Sequence, residues 1–317
     1  MSSFSVSASD FRDALGAADP GRFTALPKAD RHCHSLLGAS LRSISEWAGV
    51  AIPAAPPRMT SFEDMREYLH RELYPHIRNR AGFEFTAGRS IEESALDGVR
   101  ILEMSIDVDF LRFYDGPEEF FRFVRGLVER HRDSIRFRPE LGISKNRPPA
   151  AQVPPAEACA RSGVFASIDL YGSESAQEPE AYAGLFALAA RHGLKLKAHV
   201  GESGSPELME RTMRVLGLHE VQHGVAAARS APLMRILRRE GIRLNVCPGS
   251  NVALSVSPDF AHHQIRALLD NGVRVSVNSD DRTVFGRTVS DEYRALHAAG
   301  TLDAAALYAV WGDSLVD

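Results

Sequence analysis

Short strand-like runs alternate with longer helix-patterned stretches eight times along this chain, and that repetition leaves few folds open. The runs are residues 26–34, 99–108, 135–144, 164–170, 194–200, 220–225, 242–247 and 273–278. Between them, stretches such as 117–130, 179–192, 205–215, 231–240 and 263–270 space their apolar residues as a helix does. Pro117 and Pro179 open two of these where a first-turn proline is tolerated. Gly98, Gly163, Gly193, Gly241 and Gly272 stand where helices end. Parallel strands need helical crossovers, so the pattern predicts an α/β chain whose sheet closes into a (β/α)8 TIM barrel, with residues 1–317 as one domain. An open doubly wound sheet is the competitor, but no GxGxxG follows the first run.

The longest interruption, residues 36–97, follows the first strand and so opens on the barrel's C-terminal face. A helical lid over an active site belongs there. Residues 61–78 read as one amphipathic helix with Phe62, Met65, Tyr68, Leu69 and Leu73 on one side, and residues 53–57 as a Pro/Ala linker. Residues 90–97 read as the helix entering strand two, with Ser90 and Glu93 spaced as a capping box.

Composition narrows the functional classes. A net charge of −4 with dispersed Lys and Arg disfavours a nucleic-acid polymer as partner. No apolar run reaches the ~18 residues of a membrane span, and the N-terminus lacks the pattern of a secretory leader. Cys33, Cys159 and Cys247 are too scattered for a disulfide framework or a CxxC metal site, so a cytoplasmic location is expected. Oligomeric state is not legible.

The chemistry sits at strand ends. Strand one finishes His32-Cys33-His34, and strand alternation turns both imidazoles inward and Cys33 outward. Strand five ends in His199-Val200-Gly201-Glu202, strand six in His223-Gly224 and strand eight in Asp280-Asp281. Metal-binding side chains at one level of four strands point to a metal site at the catalytic rim. Scattered histidines are more often surface or hydrogen-bonded groups. His70, His76, His131, His192, His219, His262, His263 and His297 are therefore given no role.

These motifs, in this order, resemble the adenosine deaminase family of the amidohydrolase superfamily. Further matches are Leu26-Pro27-Lys28-Ala29, Asp97-Gly98-Val99, Ile168-Asp169-Leu170 with Gly172, and Val246-Cys247-Pro248 with Ser250-Asn251. The resemblance spans about residues 10–315. It implies one zinc ion held by His32, His34, His199 and Asp280, and a hydrolytic deaminase that replaces the exocyclic amine of an aminopurine or nucleoside-like small molecule and releases ammonia. Glu202 would protonate a ring nitrogen and His223 would orient the attacking hydroxide. Asp281, together with the backbone N–H of Gly172, would bind the ring.

One segment departs from the family. After the HxH pair the family places Leu-Asp/Glu-Gly, whose acid binds ribose. Here the segment reads Ser35-Leu36-Leu37-Gly38, without an acid. The ring chemistry is thus expected to persist while ribose recognition changes, unless a lid acid such as Glu63 or Asp64 takes that place. Two rivals stand beside this reading. A binuclear amidohydrolase needs a bridging lysine or acid on strand four, which here ends Asp169-Leu170-Tyr171-Gly172. A non-catalytic binding barrel would have no use for an acid at Glu202.

Overall fold

The computed structural model describes residues 5–316. Eight strands, β1 (Lys28–His34), β2 (Val99–Asp107), β3 (Arg136–Ser144), β4 (Ser167–Tyr171), β5 (Lys195–Val200), β6 (Glu220–His223), β7 (Arg243–Val246) and β8 (Arg274–Val277), form one sheet in sequence order. Every neighbouring pair is parallel. A bridge between Cys33 and Asp280 brings β8 back to β1. The chain therefore builds the expected (β/α)8 barrel, with strand ends shifted by a few residues. The run 164–170, for example, pairs only from Ser167 and continues to Tyr171.

Apolar residues on the outer strand faces pack under the helices; Leu102, Met104, Ile106, Ile168 and Leu170 are all buried. The interior is different. Barrels of this kind usually fill it with branched aliphatic layers, whereas here it holds a charged cluster. Fully buried Lys197 contacts the carboxylates of Glu103 and Glu140 and lies 3.6 Å from Glu220. Arg31 donates to Glu103 at 2.7 Å and to the carbonyls of Ser314 and Val316, both at 2.8 Å. Arg243 reaches Glu220 at 3.3 Å. A buried ion costs several kcal/mol unless paired, and each of these has an opposite partner. The β1 register shifts between Asp30 and Cys33, which lets both Arg31 and His32 meet interior partners.

The β1–β2 insertion is helical, with two differences from the expected boundaries. Residues 61–78 form three pieces: Phe62–Tyr68, a π-helical turn Leu69–Leu73, and Tyr74–Ile77. Met65, Tyr68, Leu69 and Leu73 are buried as the apolar pattern requires. Ser90 and Glu93 do not start a helix. They lie inside Arg80–Leu96, which Asn79 caps by accepting the Gly82 N–H at 2.9 Å. A capping box needs free backbone N–H groups, and the apolar series Phe83, Ala87, Ile91 carries the helix upstream of Ser90. Glu93 caps another helix instead, accepting the Ser40 N–H at 2.7 Å and the Ser43 hydroxyl at 2.6 Å at the start of Leu41–Ala48. Among the helices not named from the sequence is Pro149–Arg161, which contains Pro154 and Pro155, residues that normally break a helix interior.

Candidate active site

The strand-end residues converge at the C-terminal rim. Possible ligand atoms of His32, His34 and His199 lie within 4.8 Å of one another, as do those of His34, Asp280 and Asp281, and those of His32, His223, Cys247 and Asp280. Asp280 Oδ1 is 3.4 Å from His32 Nε2 and 3.8 Å from His34 Nε2. Two donors bound tetrahedrally at ~2.1 Å from one zinc stand about 3.4 Å apart, so this spacing suits a shared ion. His32 Nε2 is buried without a hydrogen-bond partner, an orphaned lone pair that a metal would satisfy. His223 and Asp280 both hold φ near +62°, strain that clusters at functional sites.

Electrostatics favour the same use. Burial drives His32 well below its ordinary pKa and lowers His34 to about 4, leaving neutral imidazoles able to coordinate. Burial opposes ionisation of Asp280, but the surrounding imidazoles of His32, His223 and His34 outweigh it and hold the carboxyl far below its usual range. Burial raises Glu202, and His223 only partly offsets this. Burial together with the charges of Asp280 and Glu202 pushes Asp281 well above the ordinary carboxyl range, and its Oδ1 is unpartnered.

A second tier fixes these groups, and most of it went unread in the sequence. Asp169 Oδ1 lies 3.1 Å from His199 Nδ1, orienting that ring toward the cluster through its other nitrogen. Lys145 donates to the His199 carbonyl at 2.9 Å. The Glu174 carboxylate accepts four successive backbone N–H groups, from Gly201, Glu202, Ser203 and Gly204, at 2.7–3.0 Å. His263, which the sequence reading left without a role, accepts the Ile265 N–H at Nδ1 and thereby presents Nε2–H to Asn251 Oδ1 at 3.2 Å. Asn251 in turn donates to Glu202 Oε1 at 3.4 Å. His223 Nδ1 is 3.5 Å from the same oxygen. Only Asp169 and Asn251 left a trace in sequence, as members of strand-end motifs.

Beside the cluster is a cavity of about 230 Å³. His34, His199, Glu202, His223, Asp280, Asp281 and Gly172 line it, as do Leu36 and Leu37 and, from the insertion, Phe62, Met65, Leu69, His70 and Tyr74. Glu63 and Asp64 do not reach it. Glu63 is 73% exposed and pairs with Arg66, and Asp64 accepts from Thr60.

Sequence relationships agree with this geometry. The adenosine deaminase profile matches residues 135–314. A Treponema pallidum protein named as an adenosine/adenine deaminase is 35% identical over 288 residues, 90% of this chain and 96% of its own length. The chain belongs to the adenosine deaminase family. It is accordingly a hydrolase of C–N bonds in cyclic amidines, as the motif order implied. Two solved structures share the fold. Adenine deaminase from Arthrobacter aurescens superposes with a TM-score of 0.80 at 22% identity, covering 91% of this chain and 92% of its own. An amidohydrolase from Burkholderia ambifaria, solved with bound zinc, does so with a TM-score of 0.76 at 21% identity, covering 91% and 84%.

Proposed function

We propose that this family member is a zinc-dependent hydrolytic deaminase of an aminopurine whose ribose is altered or missing. His32, His34, His199 and Asp280 would hold the ion; the observation that carries this is their convergence around the partnerless His32 Nε2, next to a buried Glu202. Zinc, when bound, supplies hydroxide from water at neutral pH. Burial raises the Glu202 carboxyl above its ordinary range, and Glu202 delivers a proton to the ring nitrogen beside the amine-bearing carbon, so charge does not accumulate on the ring. His223 lies between Glu202 and Asp280, 3.5 Å and 3.9 Å away, and orients the attacking oxygen. Asp281 and the Gly172 N–H bind the ring edges, and both line the cavity.

The whole chain is read as one barrel domain with residues 36–97 as its lid, a reading supported by the side chains of that segment that line the cavity. The cavity's ~230 Å³ lies below the roughly 300–1,000 Å³ typical of drug-sized ligands, which suits a bare heterocycle. The Arthrobacter aurescens relative is named an adenine deaminase, and the Treponema pallidum relative an adenosine/adenine deaminase. Three free, buried thiols fit a cytoplasmic location. The test is joint: elemental analysis of protein purified without added metal, and ammonia release from a panel of aminopurines. About one equivalent of zinc and ammonia from at least one panel member are expected. Two equivalents, or activity without metal, would overturn the mononuclear assignment.

A further inference from the structure

Resting on that deaminase reading, we propose that Asp107, held in place by Tyr171, accepts the ring N–H of an unsubstituted purine base and so selects free bases over nucleosides. The reacting side of the site is built from the ends of β5, β6 and β8, which carry Glu202, His223, Asp280 and Asp281. The barrel order places β2 opposite β6 and β4 opposite β8, with β4 also bordering β5. In an aminopurine, N1 and N7 flank the amine-bearing carbon, while N3 and N9 lie on the far edge. With N1 at Glu202 and N7 at Asp281, the N9–H of a free base faces the β2–β4 wall.

Among the described residues that line the cavity from that wall, Asp107 is an acid with spare acceptor capacity. Asp107 Oδ1 accepts the Asp109 N–H at 2.8 Å, and Oδ2 accepts the Tyr171 hydroxyl at 2.5 Å. A carboxylate has about four lone-pair positions, so two remain toward the cavity that Asp107 lines. The neighbouring Asp109 is committed to Arg78, Arg112 and Arg147. On the same strand the Ser105 hydroxyl, also lining the cavity, is buried without a partner. A polar atom in that state calls for a ligand group to satisfy it. Gly142 keeps the wall open, since a Cβ there would lie 2.5 Å from Ser105 Oγ and 3.2 Å from the Tyr171 ring. The Tyr171 ring packs edge-on against His34, with centroids 5.3 Å apart, which ties Asp107 to the metal-holding rim. Substitution at N9 removes the donor and presses a bulky group against this pair.

The experiment compares adenine with 9-methyladenine, which replaces the N9–H by a small methyl group. Calorimetric titration of the zinc-loaded Glu202→Gln protein measures binding without turnover, and steady-state ammonia release measures it with turnover. Adenine is expected to bind ~10–100-fold more tightly than 9-methyladenine, and Asp107→Asn, added to each background, should erase most of that gap by weakening adenine alone. Tyr171→Phe keeps the packing and should raise KM for adenine several-fold with kcat nearly unchanged. It supplies the test should Asp107→Asn fold poorly. Equal affinity for the two ligands, or an Asp107→Asn loss shared by both, would overturn the assignment. Protein that binds adenine but releases no ammonia from any aminopurine overturns the deaminase reading instead, and the titration still decides the role of Asp107.

Discussion

Replacing Glu174 with alanine tests how the loop carrying Glu202 is held. Its carboxylate gathers the N–H groups of residues 201–204, three of them on Oε1 and that of Gly201 on Oε2. Gly201 is buried, so its N–H, once orphaned, costs about 1–3 kcal/mol. The other three are partly exposed and regain water, adding about 0.5 kcal/mol each. The sum, roughly 2.5–4.5 kcal/mol, is enough to let this loop open without unfolding the barrel. Displacing a reacting group by ~1 Å can cost ~10²-fold in rate. The expected result is kcat on the best aminopurine lowered about 100-fold, with zinc content unchanged because Glu174 lies outside the proposed ligand set. Glu174→Gln keeps an oxygen for three donors and should fall between. Gly204→Ala, whose Cβ would lie 2.4 Å from Glu174 Oε2, should act in the same direction. A Glu174→Ala enzyme with normal kcat and a lowered melting temperature would refute the reasoning, because the clamp would then serve stability alone.

Glu202→Gln should retain the metal and lose ~10²–10⁴-fold in kcat, since an amide cannot cycle a proton; near-normal turnover on a good substrate would remove Glu202 as the donor. Asp169→Asn, by loosening the orientation of His199, should weaken zinc affinity ~10–100-fold in a chelator competition, and an unchanged affinity would sever that link. Lys197→Met should lower stability by about 3–5 kcal/mol in denaturant titration, because Glu103, Glu140 and Glu220 lose their shared cation; a neutral outcome would mean the cluster protonates at little cost. Adenosine should be a poor substrate, and kcat/KM of about 10⁵ M⁻¹s⁻¹ or more would show that ribose is still recognised.

The barrel was legible because strand and helix periodicities differ and each repeat restates them. The rim was legible because metal-binding residue types at strand ends are rare by chance. What stayed hidden depended on contacts distant in sequence. Glu174 sits in a loop with no periodicity, and its meaning comes from four N–H groups at 201–204. His263 looked like an ordinary histidine at the start of a helical stretch until folding brought it to Asn251. Ser90 and Glu93 show the opposite error: a correct local spacing whose partners were elsewhere. Asp107 could not be ranked above Asp109 without knowing that three arginines already claim the latter.

The charged interior also acts as a proofreader of strand alignment. Side chains alternate with a period of two, so sliding β5 by one residue would carry Lys197 out among the apolar helices and turn Ala198 toward Glu103 and Glu140. An aliphatic interior would tolerate such a slip at the loss of some packing. This one would strand bare ions in a medium that solvates them poorly, at several kcal/mol each. Misaligned barrels are thereby removed from the set of compact states the chain can rest in. The same slip would rotate His199 away from the rim, so only the correctly aligned barrel brings its imidazole level with His32 and His34.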